Sequence, residues 1–147
     1  MARTRSRQVE ELALGLPQRV SALTRLFFAR ARVSRTEVGL LAALAVRPHR
    51  ITDLSAREGI SQPAVTQLVN RLEGQGWVTR GTDPDDGRAV LVVLTNAGAA
   101  ELERVRGEFR ALLHEEMAAL DDEEVGTLAA AVEILDRLVA RLGERTP

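Results

Sequence analysis

The feature that most constrains the fold of this 147-residue chain is a tight turn between two short amphipathic helices. The first helical segment, residues 51–58, places Leu54 inward and offers Thr52 as a cap. Gly59 follows it and can adopt the left-handed conformation that ends a helix. Ser61 is a natural N-cap for the second helix, which carries one apolar stripe. That stripe consists of Val65, Leu68, Val69 and Leu72. So short a connection predicts a helix-turn-helix unit.

The other side of the second helix is polar and contains no acidic residue. It carries Ser61, Gln62, Thr66, Gln67, Asn70 and Arg71. Hydroxyl, amide and guanidinium groups can bond base edges in the major groove of double-stranded DNA, so we predict these six residues as DNA contacts. A merely solvated helix usually mixes acidic and basic residues, and it remains the alternative for this face taken alone.

Two strand-like segments follow directly, residues 77–82 and 89–94. A helix-turn-helix followed by a β-hairpin predicts a winged helix, whose wing reaches the DNA backbone or minor groove beside the recognition helix. The fold class is therefore mainly α with a small β-hairpin wing. The alternative for the hairpin in isolation is a solvent-exposed loop whose charges only maintain solubility.

The turn between the strands is strongly acidic. Its aspartates are Asp83, Asp85 and Asp86. Aspartate suits turns because its side chain bonds nearby backbone N–H groups, and Gly87 permits positive φ. We expect Asp83 or Asp86 to brace a neighbouring arginine such as Arg80 or Arg88. Arg88 at the tip is suited to a narrow minor groove, so the predicted wing contacts are Asp86 and Arg88.

Helices with wide apolar stripes flank this core, which spans about 34–95. We expect a first helix over 20–33 with a helical turn at 8–14, and long helices over 96–120 and 121–142, within a single domain 8–142. Residues 1–7 are expected to form a basic arm. The apolar stripes of the outlying helices, about 8–33 and 96–142, need a surface that covers them. We therefore predict a homodimer whose interface is formed by the chain ends. Packing of these helices within one chain is the alternative.

Composition excludes several classes of protein. There is no cysteine, which excludes disulfides and thiol redox chemistry within this chain. No apolar run approaches the ~20 residues that span a bilayer, so we expect a cytoplasmic protein without a membrane partner. Although the net charge is −1, residues 32–95 carry +1 and residues 96–147 carry −6. The middle segment is therefore the part suited to nucleic acid.

Catalytic and metal-binding patterns are missing from the sequence. Its two histidines, His49 and His114, lack the spacing of a zinc or nucleophile motif, although Glu115 and Glu116 lie beside the second. We predict no catalytic residue, no metal site and no cofactor, and therefore not an enzyme. The competing function is a winged helix that docks another protein instead of DNA.

The helix order, the segment SQPAVTQLVNRLEGQGWV and the wing DPDDGRAVLVVLTNAG together resemble the MarR family of bacterial winged-helix transcriptional regulators. The matching wing positions are Asp83, Arg88, Leu94, Thr95 and Gly98. The resemblance covers nearly the whole chain and implies a two-fold dimer on a pseudo-palindromic operator. It also implies repression relieved by a small aromatic or phenolic ligand. Asp85 departs from the family, which often has arginine there, so the wing is expected to depend more on Arg88.

A ligand of this kind would lie where three helices converge under the winged domain. The candidate pocket residues are Phe27, Phe28, Leu41, Leu44 and Phe109. With four aromatic residues in the chain, the pocket would be mostly aliphatic, and Arg25 or Arg30 could meet a carboxylate. The alternative is that these side chains are simply core, because phenylalanine at helical spacing usually packs.

Overall fold

The computed structural model describes residues 2–31, 33–83, 86 and 89–145. Within them it contains helices α1 (Ala2–Arg30), α2 (Arg35–Val46), α3 (Ile51–Glu58), α4 (Gln62–Gly74), α5 (Asn96–Met117) and α6 (Asp122–Glu144), and strands β1 (His49–Arg50), β2 (Val78–Thr82) and β3 (Val90–Leu94). The chain divides into two compact units, Met1–Glu108 and Phe109–Pro147. The predicted fold class, mainly helical with a small antiparallel sheet, is confirmed.

Local capping explains where several helices begin. Ser34 and Glu37 form the predicted capping box of α2, with the Ser34 N–H donating to Glu37 Oε2 at 2.6 Å. Asp121 and Glu124 form the predicted box of α6. Both boxes satisfy backbone N–H groups that a helix start otherwise leaves without partners. The starts of α2 and α6 are therefore readable from short sequence patterns.

Two helix starts differ from expectation. Helix α1 is continuous from Ala2, so the expected helix start near Val20 is wrong. The basic arm over 1–7 and the domain boundaries stay predictions. The segment is rich in alanine, leucine, glutamate, glutamine and arginine, which favour helix without tertiary contacts, and Pro17 is accommodated inside it. Helix α3 begins at Ile51, before Thr52, and the Asp53 carboxylate accepts from the N-cap N–H at 3.4 Å.

The sheet has three strands where the sequence predicted two. The strand order is β1-β3-β2 and both pairings are antiparallel. In this register Val92 of β3 lies opposite His49 on one side and opposite Arg80 on the other. Strand β1 has only two residues, so no alternation of apolar and polar side chains could reveal it. Its pairing brings residues near position 50 to the base of the wing.

The core of the first unit lies between the helix-turn-helix, α2 and the sheet. Its buried members are Leu40, Leu41, Ala43, Leu44, Leu54, Val65, Leu68, Val69, Leu72, Val78, Val92 and Leu102. The four predicted apolar positions of α4 are all among them. Full burial of an aliphatic side chain stabilises the fold by roughly 1.5–3 kcal/mol relative to exposure. This packing fixes which side of α4 faces outward.

Hydrogen bonds join the C-terminal end of the hairpin to the residues that follow α4. Thr95 donates its backbone N–H to Trp77 O at 3.0 Å and its hydroxyl to Gly76 O at 2.6 Å. The same hydroxyl accepts from the Gly98 N–H at 3.0 Å, as expected of an N-cap for α5. A Cβ at Gly98 would lie 2.0 Å from Trp77 O, so this crossing requires glycine.

None of the described helices combines the length with the apolar run needed to cross a bilayer.

We predict that Gly98→Ala destabilises the first unit by at least ~1–3 kcal/mol, because the methyl group would overlap a backbone carbonyl that cannot move without opening the sheet. Gly74→Ala is the matched control, since a Cβ there meets no atom within 4 Å. Urea unfolding followed by circular dichroism measures both free energies of unfolding. Equal stability of the two variants would contradict the close approach at Gly98.

Candidate nucleic-acid interface

The turn between α3 and α4 is held by its own hydrogen bonds. Gly59 has φ +66°, the left-handed conformation predicted for it, and its N–H donates to Ser55 O at 3.0 Å. The Ser55 hydroxyl donates to Ile60 O at 2.6 Å. Ser61 then caps α4, accepting from the Ala64 N–H at 3.4 Å. The angle between the two helices is thus fixed within three residues.

Helix α4 has one buried side and one exposed side, as the sequence predicted. The exposed residues among the predicted DNA contacts are Ser61, Gln62, Gln67, Asn70 and Arg71. Thr66 is partly buried and donates its hydroxyl to Gln62 O at 2.9 Å. The structure therefore places all six predicted α4 residues on or beside one outward polar face. We call these six residues the α4 face.

Two of the α4 residues have partners that the sequence did not suggest. Asn70 Oδ1 accepts from Arg80 Nη2 at 2.6 Å, and the same guanidinium forms an ion pair with Glu73. Arg71 Nη2 lies 2.8 Å from Glu37 Oε1, a carboxylate whose side chain is 10% exposed. These contacts connect the exposed side of α4 to β2 and to α2. They also leave the α4 face less cationic than its sequence implies.

The acidic wing turn has a structural partner from elsewhere in the chain. Asp83 Oδ2 accepts from Arg50 Nε at 3.0 Å and from Nη2 at 2.6 Å, and Asp86 Oδ2 lies 3.6 Å from the same guanidinium. The Asp83 side chain is only 9% exposed. Hydrogen bonding to Asp83 raises the pKa of Arg50 above its ordinary value, so the pair remains charged.

The expected bracing of Arg80 by the wing aspartates is wrong. These carboxylates pair with Arg50, which β1–β3 pairing brings to the hairpin from 33 residues away. Asp86, predicted as a DNA contact, also faces this guanidinium and is about half exposed. No local pattern in the sequence could reveal Arg50, because its proximity depends on the register of a two-residue strand. Arg88 and Asp85 lie outside the described residues, so their predicted roles stay predictions.

The chain resembles known proteins in both sequence and fold. A model of the MarR family matches residues 33–89, the segment that contains the helix-turn-helix and most of the wing. The multiple antibiotic resistance protein MarR of Escherichia coli is 42% identical over 66 residues, which is 44% of this chain and 46% of that protein. The helix-turn-helix and most of the wing of this chain are therefore similar to the MarR family.

Further proteins are similar to the chain in part of the sequence or in fold. An HTH-type transcriptional regulator of Mycobacterium bovis is 33% identical over 86 residues, covering 58% of this chain and 60% of the relative. The matched part of the chain therefore spans well under two thirds of these curated relatives. The crystal structure of apo wild-type MarR from Escherichia coli is 26% identical with a TM-score of 0.64, covering 86% of this chain and 95% of that one. A Thermotoga maritima regulator of 24% identity has a TM-score of 0.70, covering 92% and 96%.

The predicted pocket residues lie in different surroundings. Leu41 and Leu44 are buried in the core, and Phe27 is 9% exposed. The rings of Phe27 and Phe28 meet edge to face, with centroids 4.8 Å apart. Phe109 belongs to the second compact unit. A ligand pocket built from all five residues stays a prediction.

A concavity of about 360 Å³ opens beside one of these aromatic residues. It is lined by Val20, Ser21, Thr24, Arg25, Phe28 and Arg35. Arg25 is one of the two arginines that the sequence suggested for a carboxylate. Within the described residues, no group of three or more histidine, aspartate or glutamate side chains is arranged to hold a metal ion.

His49 is buried at the base of the sheet, as a packed side chain. Its residue exposure is 7%, and its Nδ1 has no hydrogen-bond partner among the described residues. Burial is the main cause that lowers the pKa of His49, and the positive charges of Arg47 and Arg57 lower it further, while Asp53 and a backbone hydrogen bond at Ala43 act in the opposite direction. The imidazole is therefore neutral in the folded protein across a wider pH range than in the unfolded chain.

We predict that stability falls on acidification because of His49. The pKa of His49 in the folded protein is below its unfolded value of about 6.5. The contribution of the neutral imidazole to the free energy of unfolding is therefore fully present above about pH 6.5 and is lost as the pH falls toward the folded pKa. Urea unfolding of wild type and His49→Phe, from about pH 8 to about pH 5, measures the effect. The wild-type free energy of unfolding should fall more steeply than that of the variant. Parallel pH profiles would contradict the buried, neutral imidazole.

Proposed function

We propose that this chain is a sequence-specific DNA-binding transcriptional regulator that acts as a homodimer on a pseudo-palindromic operator. The observation that carries the proposal is the outward α4 face, displayed by a helix-turn-helix beside a β-hairpin. Its six residues include no acid, and the neighbouring carboxylates of Glu37 and Glu73 are paired with arginines. Such a face offers donors and acceptors to base edges without repelling phosphates. The relatives described as transcriptional regulators support this assignment.

The proposed contacts divide by their position on α4. Ser61 and Gln62 lie at the helix N-terminus, where backbone N–H groups and the helix dipole favour phosphate. Gln67 and Asn70 lie one turn apart in the middle of the helix, where a recognition helix meets base edges. Thr66 and Arg71 lie beside them. Arg88 of the wing is proposed to enter the adjacent minor groove, while Asp86 helps to hold the wing base through Arg50.

Substitutions on α4 and on the wing should have different effects. Gln67→Ala or Asn70→Ala should relax the preference at particular base pairs by ~1–3 kcal/mol, because each removes contacts to base edges. Arg88→Ala should weaken binding to all sequences and reduce the slope of log K against log salt by ~1, because it removes a phosphate-neutralising charge. Fluorescence anisotropy with matched and mismatched duplexes measures both effects. Unchanged affinity in all three variants would reject the placement.

A winged helix can also dock proteins, and salt dependence distinguishes the two functions. Contacts with phosphates release counterions, so binding to duplex DNA should weaken steeply as salt concentration rises. Protein docking through the same face would produce no affinity for duplex DNA of any sequence. The lack of acidic residues on the α4 face favours DNA.

The proposed dimer is supported by apolar side chains that the two outlying helices leave exposed. In α1 they are Val9, Leu12, Leu14, Leu16, Val20, Leu23 and Leu26, and along the predicted stripe of α6 they are Val125, Leu128, Val132, Leu138, Val139 and Leu142. Monomeric soluble proteins rarely leave extended apolar patches exposed. The proposed occupant is a second copy of the chain, because a two-fold interface buries the same patch on both subunits.

A charge placed on this surface should separate the subunits. Val139→Glu should raise the dimer dissociation constant by about tenfold or more, because Val139 is 68% exposed within the chain but would be buried by a partner. Ala130→Glu, also exposed but on the opposite side of α6, is the matched control and should leave the dimer intact. Light scattering over a concentration series measures assembly. A wild-type chain that is monomeric at micromolar concentration yet binds a palindrome tightly would refute the dimer.

We further propose that a small aromatic acid regulates DNA binding. The concavity beside Phe28 combines an aromatic ring with two arginines, which suits a planar carboxylate. Successive major grooves are ~34–36 Å apart, so the two α4 helices of a dimer must have this spacing to bind the operator. A ligand that binds better to a dimer with a different spacing would therefore dissociate the DNA.

The ligand proposal predicts that at least one small aromatic acid dissociates a preformed operator complex. Arg25→Gln should weaken that response without changing operator affinity in the absence of the acid. Anisotropy titrations of wild type and variant measure both quantities. Since the chain has no cysteine, mild peroxide should leave the complex unchanged. Failure of every acid in a broad panel would reject this ligand class.

A further inference from the structure

Two carboxamide side chains on the α4 face differ in what they can still bond. Asn70 Oδ1 accepts from Arg80 Nη2 at 2.6 Å. Gln67 lies one helical turn earlier and has no side-chain hydrogen bond within the described part of the chain. The two amides therefore offer different atoms to a ligand, although their chemistry is the same.

The orientation of the Asn70 amide follows from the chemistry of its partner. A guanidinium has five N–H donors and no acceptor, so only the carbonyl oxygen of the amide can bond to it. The NH2 group must then point away from Arg80. The assignment of oxygen and nitrogen in this side chain is thus set by its partner.

Arg80 is itself held on two sides. Its backbone lies in β2, opposite Val92 of β3, and its other terminal nitrogen forms an ion pair with Glu73 of α4. Its side chain is 28% exposed, which is low for an arginine on a hairpin. The guanidinium is consequently fixed between the wing and the recognition helix. It holds the Asn70 oxygen toward the wing.

This arrangement restricts which base Asn70 can read. A carboxamide that recognises adenine donates to N7 and accepts from the N6 amino group at the same time. In Asn70 one lone pair of the carbonyl oxygen already accepts from Arg80, and the positive charge of Arg80 opposes the approach of a positively polarised N6–H to the other lone pair. The free NH2 group retains two donors. Guanine offers acceptors at both N7 and O6 in the major groove.

We propose that Arg80 makes Asn70 a donor-only reader that selects guanine over adenine, whereas Gln67 keeps both functions and reads adenine. Arg80 is thus a positioning residue, which determines specificity without contacting the base. This inference rests on the proposed DNA-binding function and adds the base preference at two positions of the operator half-site.

Selection of duplexes from a randomised library, followed by sequencing, tests the inference. Asn70→Ala and Gln67→Ala identify the base pair that each side chain reads, by loss of preference there. At the Asn70 position wild type should prefer guanine to adenine by about tenfold, the value of one good base contact. Arg80→Met, which removes the donor, should shift that position toward adenine and leave the Gln67 position unchanged.

Three controls separate specificity from general effects. Glu73→Gln keeps an acceptor for Arg80 and should keep the guanine preference. The double variant of Asn70→Ala with Arg80→Met should match Asn70→Ala alone at this position, because Arg80 acts through the amide. Asn70→Asp retains Arg80 and Glu73 but replaces the NH2 donor by an acceptor, so it should prefer cytosine, whose N4 amino group donates. Circular dichroism establishes that each variant is folded.

The outcomes distinguish this inference from the proposed function. If wild type selects no sequence, the proposed function fails. The inference is overturned if wild type selects a site but prefers adenine at the base pair that Asn70 contacts. It is also overturned if Asn70→Ala reduces the base preference at no position of the site. An unchanged guanine preference in folded Arg80→Met also overturns it. Should Arg80→Met not fold, Asn70→Asp decides, since retention of guanine there would exclude a donor role for the amide.

Discussion

Burial of the apolar stripe of α4 is the constraint on which the rest of the structure depends. Val65, Val69 and Leu72 are completely buried, and Leu68 nearly so, against α2, α3 and the sheet. Because a helix cannot rotate once such a stripe is packed, its opposite face must point outward. The polar side chains of that face are displayed together for this reason. Any function assigned to them begins with the hydrophobic contacts beneath them.

Charged contacts then attach the wing to this core. Arg50 binds Asp83 near the hairpin, and Arg80 joins β2 to Glu73 and Asn70 of α4. Exposed ion pairs usually contribute ~0.2–1 kcal/mol, so these contacts do less for overall stability than the core does. These contacts set the orientation of the wing, because Arg50 reaches the hairpin from 33 residues away and Arg80 joins strand β2 to helix α4. The acidic turn of a hairpin proposed to contact DNA has a structural role, because two of its carboxylates hold an arginine.

Much of the architecture follows from the sequence because its signals are local. The capping boxes at Ser34 and Asp121, the left-handed Gly59 and the N-cap Ser61 each depend on residues within one helical turn. The six residues of the α4 face could be chosen from helical periodicity alone. The MarR resemblance rested on short motifs of this kind, which the family match over 33–89 confirms.

What the sequence by itself determined was the order of the helices and of the two hairpin strands, the capped starts of α2, α4 and α6, and the polar residues that α4 turns outward, since short-range periodicity and capping specify them. Only the tertiary structure decided that β1 pairs with β3, that Arg50 holds the wing aspartates, and that Arg80 occupies the Asn70 oxygen. Those contacts join residues from ten positions apart, for Asn70 and Arg80, to 43 positions apart, for His49 and Val92. Their physical cause is the pairing register of short strands packed against a buried helix, which no local pattern encodes.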